Sequence, residues 1–157
     1  MKSITNVKKY IKDNFFILFI ILLFIFFAIN FRTIIINGNS MASTLYNNEF
    51  HLGTYHTNNV KDGDIVVINS NYLDMQIIKR VIASPGDTFE IKNNIVYVND
   101  IPINETYIKE AMITNDITKF KLANNEYFVM GDNRNNSCDS RNIGCITLDE
   151  IYLKFII

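Results

Sequence analysis

Between Phe15 and Ile29 the chain reads FFILFIILLFIFFAI, fifteen residues without one polar side chain. As a helix this run spans about 22 Å, short of a hydrocarbon core of roughly 30 Å. Its flanks extend it. Tyr10 and Ile11 precede the run, Phe31 follows it, and Lys12 is long enough to snorkel to the headgroups. A soluble core helix keeps a polar face, and this run has none. A cleavable leader would need small residues at its exit. Here the chain continues Ala28-Ile29-Asn30-Phe31-Arg32. The pattern therefore predicts a retained transmembrane helix over residues 15–31. Lys2, Lys8, Lys9 and Lys12 precede it, opposed only by Asp13, and a single Arg32 follows closely. That asymmetry predicts a cytoplasmic tail over residues 1–14 and an extracytoplasmic domain over residues 32–157.

The 157 residues suffice for one domain with a modest core. A formal net charge of −1 supplies no global field for nucleic acid. Beyond residue 32 the signals are mostly β. Thr33–Asn37, Asp64–Asn69, Met75–Ala83 and Glu126–Met130 read as strands. Ser84-Pro85-Gly86-Asp87 is a turn. Thr88–Lys92 and Ile95–Val98 form a hairpin about Asn93-Asn94. Residues 88–124 carry few sharp motifs and read as a short β-rich insertion. Thr147-Leu148-Asp149-Glu150 could cap a helix. The Ile, Tyr and Phe that follow favour a last strand over Ile151–Ile157.

Three places carry chemistry. Ser40 lies in Asn37-Gly38-Asn39-Ser40-Met41. Glycine there permits a sharp turn that exposes the hydroxyl and aims the Ser40 backbone amide at a developing oxyanion. Alone, such a serine is an ordinary turn residue. Lys79 shares a strand face with Ile77 and Val81. A lysine on an apolar face must snorkel or lose its charge, and a neutral amine is a competent base for a hydroxyl. The segment from Gly131 to Arg141 packs acids, bases and amides together. Asp132 and Arg134, with Asp139 and Arg141, have the chemistry for ion pairs that stiffen a loop. Ser137 is then placed to offer its hydroxyl to Lys79.

These segments, in this order, resemble the bacterial type I signal peptidases along nearly the whole chain. Ser40-Met41-Ala42-Ser43-Thr44-Leu45 resembles the family's nucleophile box, S-M-x-P-T-L. Asp62-Gly63-Asp64-Ile65-Val66-Val67 resembles its G-D-I-V strand. Ile78-Lys79-Arg80-Val81 with Pro85-Gly86-Asp87 resembles its general-base box. Gly131-Asp132-Asn133-Arg134 with Ser137, Asp139-Ser140-Arg141 and Gly144 resembles its G-D-N-R-x-N-S-x-D-S-R box.

The resemblance implies a mostly β fold: a single N-terminal transmembrane helix, then a small signal-peptidase-type β-domain. It implies an endopeptidase of the bacterial cell membrane that removes signal peptides from preproteins. Ser40 would be the nucleophile, Lys79 the base, and Ser137 the residue that orients the lysine. Asp132, Arg134, Asp139 and Arg141 would support the loop. Met41, Leu45, Ile77 and Ile78 match positions that line shallow pockets for the small residues of an Ala-x-Ala site. The peptide would bind as an added strand. The partners implied are preprotein signal peptides and the lipid bilayer, with no cofactor, no metal and no nucleic acid. Relatives from archaea and the endoplasmic reticulum place histidine where Lys79 stands.

Two positions depart from the pattern. Ser43 replaces the box's proline, which predicts a slightly looser loop. Gly38 stands where some members carry a serine that helps the oxyanion, so the second oxyanion donor stays open. Cys138 and Cys145 allow either a disulfide or two unrelated thiols. His51 and His56 read as solvated loop residues rather than ligands. The competing reading is a catalytically silent relative that aids surface-protein assembly; such a chain would be expected to lose Ser40 or Lys79, and both are present.

Overall fold

The computed structural model describes residue 12 and residues 14–156. The charges expected to orient the chain at Lys2, Lys8, Lys9 and Asp13, and the last strand residue Ile157, lie outside the described residues.

Helix α1, Phe15–Asn30, is apolar on every side and buries none of its residues. Among the described residues no helix is long and apolar enough to cross a membrane. The 16 residues of α1 rise about 24 Å. The helix stops one residue before the expected boundary, because Phe31 turns to extended backbone and opens strand β1, Phe31–Ile35. Asn30 seals the junction. Its amide donates to the Phe26 carbonyl, its Oδ1 lies 2.7 Å from His56 Nε2, and its carbonyl accepts the Tyr55 amide at 3.2 Å.

The remainder is mostly β. Strands β2 (Phe50–Thr54), β3 (Ile65–Ser70), β4 (Met75–Ala83), β9 (Glu126–Met130), β10 (Ile146–Thr147) and β11 (Ile151–Phe155) join β1 in a seven-stranded sheet ordered β1-β2-β11-β3-β4-β9-β10. Strands β5 (Thr88–Lys92), β6 (Ile95–Val98), β7 (Ile101–Pro102) and β8 (Ile117–Lys121) form a second sheet, ordered β7-β6-β5-β8. The hairpin expected at residues 88–98 opens this second sheet, and Asn93 and Asn94 turn it with φ of 51° and 63°. Asparagine tolerates that left-handed region better than most residues.

The C-terminal region holds both conformations weighed from sequence. Thr147 and Glu150 close a capping box around a 3₁₀ turn, Leu148–Glu150, and β11 follows at once. Strand β2 had no clear signal, because Phe50-His51-Leu52-Gly53-Thr54 exposes Phe50 and Leu52 and buries Gly53. A Cβ on Gly53 would stand 2.6 Å from Ile34 Cδ1, so close packing of β1 against β2 explains the glycine.

Three apolar clusters hold this arrangement. Ile82, Phe89, Ile91, Val96, Phe128 and Met130 join the two sheets, with the Phe89 and Phe128 rings stacked 3.8 Å apart. Val66, Ile68, Ile77, Val81 and Val129 pack on one face of the large sheet. Ile34, Ile36, Met41, Leu45, Val67 and Leu153 pack on the other, and this last cluster seats the turn that carries Ser40.

Candidate active site

Ser40 sits in the turn between β1 and β2. Gly38 enters that turn at φ 105°, a conformation that favours glycine. Successive turn bonds follow: the Ala42 amide to the Asn39 carbonyl, and the Thr44 and Leu45 amides to the Met41 carbonyl. Met41 and Leu45 point into the core at 2% and 1% exposure, so the turn is anchored by apolar burial on both sides of its bend.

Lys79 lies at the middle of β4, opposite Val66 on β3. It is 3% exposed. Its Nζ lies 2.9 Å from Ser40 Oγ and 2.9 Å from the Ile78 carbonyl oxygen. Burial pushes the Lys79 amine below its ordinary value, against the opposing pull of negative charge at Asp139 and Cys138. A neutral amine at hydrogen-bond distance from a hydroxyl has the geometry of a general base. The Ser40 backbone amide donates to none of the described residues. The Gly38 amide is held by Asn47 Oδ1 at 2.9 Å.

The loop after β9 grips the Ser40 turn from the other side. The Asn133 amide donates to the Ser40 carbonyl at 3.0 Å, and its side-chain amide donates to the Asn39 carbonyl at 3.0 Å. Gly131 lies so close that a Cβ there would stand 2.5 Å from the Ser40 carbonyl oxygen and 2.3 Å from Ser137 Oγ.

The charges in this loop pair differently from a set closed on itself. Asp132 is fully buried and is gripped at both oxygens by Arg80, at 2.9 and 2.6 Å, while the Thr44 hydroxyl also donates to it. Arg134 turns outward from its neighbours to Glu105 and donates its Nε to the Gly131 carbonyl at 2.9 Å. Only Asp139 and Arg141 pair with each other, at 2.8 and 2.9 Å. Asp139 also accepts the Gly131 amide at 2.9 Å and caps the short helix α2, Ser140–Ile143. Arg80, quoted from the sequence only as part of the Lys79 box, was given no role there, and Glu105 was not singled out. The signal for Arg80 was its place beside Lys79 on the opposite strand face; nothing local marks Glu105.

Ser137 differs from expectation. It makes no hydrogen bond to Lys79, whose amine reaches Ser40 and Ile78 instead. Its Oγ is buried against Gly131 without a partner among the described residues. Ser43 also differs. Its φ is 88°, which a proline ring cannot reach, and its hydroxyl donates to the Tyr107 carbonyl at 2.7 Å. The serine therefore ties the loop down rather than loosening it.

A cleft of about 460 Å³ opens over Ser40 and Lys79. Met41, Ile77 and Ile78 line it, whereas Leu45 is packed in the core beneath and does not. Cys138 lines the cleft as a free thiol, and Cys145 is also free. His51 lies 3.2 Å from Glu49. Among the described residues no group of three or more His, Cys, Asp or Glu side chains is placed to hold a metal ion.

A family model described as "Signal peptidase, peptidase S26" matches residues 7–156. The chain belongs to the signal peptidase S26 family. Signal peptidase I P of Bacillus subtilis subsp. natto is 40% identical over 135 residues, covering 78% of this chain and 73% of the relative. Signal peptidase I U of Bacillus subtilis strain 168 is 35% identical, covering 96% and 89%. The crystal structure of a signal peptidase I from Enterococcus faecalis aligns with a TM-score of 0.56 and 25% identity, over 63% of this chain and 97% of that one. The mostly β, two-sheet architecture is thus a signal-peptidase-type fold. The enzyme class of this S26 member is serine endopeptidase, a hydrolase.

Proposed function

We propose that the chain is a membrane-anchored type I signal peptidase that removes signal peptides from exported preproteins with a Ser40–Lys79 dyad. The observation that carries this reading is the 2.9 Å approach of Ser40 Oγ to a lysine amine that is 3% exposed, at the wall of an apolar cleft. In the first step Lys79 takes the hydroxyl proton as Ser40 Oγ bonds to the scissile carbonyl carbon. Lys79 then gives that proton to the departing amine, the C–N bond breaks, and an acyl-enzyme remains. Water, deprotonated by the same amine, hydrolyses the ester and returns the Ser40 hydroxyl. The free Ser40 amide is one donor for the oxyanion.

Residues 34–38 and residues 76–79 are among those that line the cleft. An extended peptide laid between these segments finds main-chain partners on β1, whose outer edge is unpaired among the described residues. Met41, Ile77 and Ile78 leave room for small side chains beside the scissile bond. The rigid loop of Asp132, Arg134, Asp139 and Arg141 holds the turn in register with Lys79. Ser137, whose hydroxyl is buried and unpartnered beside that turn, packs against Gly131 and not on the amine.

The apolar, unburied α1 supports the anchor. With Phe31 and the apolar residues ahead of it in the sequence, a modest thinning of the bilayer brings its length to that of the core. The charge asymmetry supports an N-terminus in the cytoplasm and a catalytic domain outside, where a preprotein's cleavage site emerges.

The test is incubation of the detergent-solubilised full chain with a preprotein, reading the new N-terminus by mass spectrometry. Cleavage after a small residue is expected. Ser40→Ala and Lys79→Ala are each expected to lower the rate by at least about 10³-fold with the fold intact. A Lys79→Ala enzyme that keeps a substantial share of the rate removes the dyad.

A further inference from the structure

Residues 103–116 connect the short strand β7 to β8, and no part of this connection was expected to matter for chemistry. It crosses the loops that hold the dyad and attaches to them repeatedly, and three of these attachments bear on the dyad. Glu105 receives the Arg134 guanidinium at both carboxylate oxygens. The Tyr107 carbonyl receives the Ser43 hydroxyl at 2.7 Å. The Lys109 amide donates to the Asp132 carbonyl at 3.2 Å.

Tyr107 stands at the centre of this strap. The Arg80 guanidinium carbon lies 4.1 Å from its ring centroid, and that of Arg134 lies 5.9 Å away. Both are within the range where a ring face attracts a cation. Its hydroxyl donates to Glu105 at 3.1 Å. The stacked Arg80 is the chain neighbour of Lys79 and grips Asp132, which in turn receives the Thr44 hydroxyl. One residue thus touches the supports of both dyad members. Its carbonyl holds the turn that carries Ser40, and its ring holds the arginine next to Lys79.

We propose that Tyr107 is a positioning residue for the Ser40–Lys79 pair, fixing the distance between hydroxyl and amine from outside the cleft. This inference rests on the dyad reading above.

The experiment compares Tyr107→Leu, Tyr107→Phe and Ser43→Ala in the full chain, with Lys79→Ala run beside them. Cleavage of a preprotein is followed across substrate concentration, with kcat expressed per folded enzyme from circular dichroism. Tyr107→Leu keeps the carbonyl and removes the ring; kcat should fall about tenfold with KM little changed. Tyr107→Phe keeps the ring face and should recover most of the rate. Ser43→Ala removes one hydrogen bond and should lower kcat about fivefold, and it gives an answer even if Tyr107→Leu fails to fold. Wild-type kcat in Tyr107→Leu, or a loss that Tyr107→Phe does not recover, would overturn the positioning role. If that variant does not fold, a wild-type kcat in Ser43→Ala overturns it. An active Lys79→Ala enzyme would instead overturn the dyad itself, a separate result.

Discussion

Lys79 holds two opposed demands in one side chain. In the proposed dyad its amine must be neutral to take a proton from Ser40, and to be neutral near physiological pH it must be buried. Burial does lower its affinity for a proton. The unfolded chain, whose lysine titrates near 10.5, therefore binds more protons than the native chain at any pH between the lowered native value and 10.5. By linkage, native stability rises with pH across that window and levels off above it. Two results follow. The cleavage rate should rise with pH through the native Lys79 value and reach its plateau below the ordinary lysine range. Lys79→Met has no such proton to lose, so urea titrations across neutral to alkaline pH should show wild type gaining stability relative to the variant. A parallel pH dependence for the two proteins would mean that Lys79 is charged in the native state.

At the scale of elements, the site is a contact between two loops against one strand. The Ser40 turn and the loop after β9 meet at Gly131, where no side chain fits. Gly131→Ala places a methyl against the Ser40 carbonyl and Ser137 Oγ. Overpacking of this kind costs about 1–3 kcal/mol. Because the clash lies at the Ser40 backbone, activity should fall further than stability does, and thermal unfolding beside cleavage assays separates the two. A variant with wild-type rate would show that the loops shift without harm. The same contact explains what was legible beforehand. Met75–Ala83 and the 88–98 hairpin follow local rules of alternation and turn chemistry, and the structure places both as read. Ser40 and Lys79 were visible as motif residues, but nothing local says that 39 positions of chain return to bring them within 2.9 Å. Glu105 and Tyr107 were missed for a related reason. Their partners are Arg134 and Arg80, far along the chain, and an isolated Glu-Thr-Tyr carries no pattern. Strand β2 was missed because its exposed face is the apolar one, which inverts the expected alternation.

Over the whole molecule, an unburied apolar helix runs directly into the edge strand of the seven-stranded sheet. No residue of α1 is buried, so the β-domain does not depend on it for packing. The helix and the domain can therefore be perturbed apart. Leu22, near the middle of α1, is 65% exposed. A Leu22→Lys substitution places a charge near the centre of the proposed span, at about 2.5–3.5 kcal/mol of insertion free energy. That corresponds to roughly a hundredfold loss in membrane partitioning. The β-domain should unfold at the same temperature as wild type and cut a short soluble peptide at the same rate. Cleavage of a preprotein embedded in vesicles should fall with the bound fraction, since enzyme and cleavage site no longer share the membrane surface. Flotation of vesicles carrying the wild-type and variant chains measures the partitioning directly. An equal bound fraction would show that α1 does not enter the bilayer, and the helix would need another apolar partner to cover its surface.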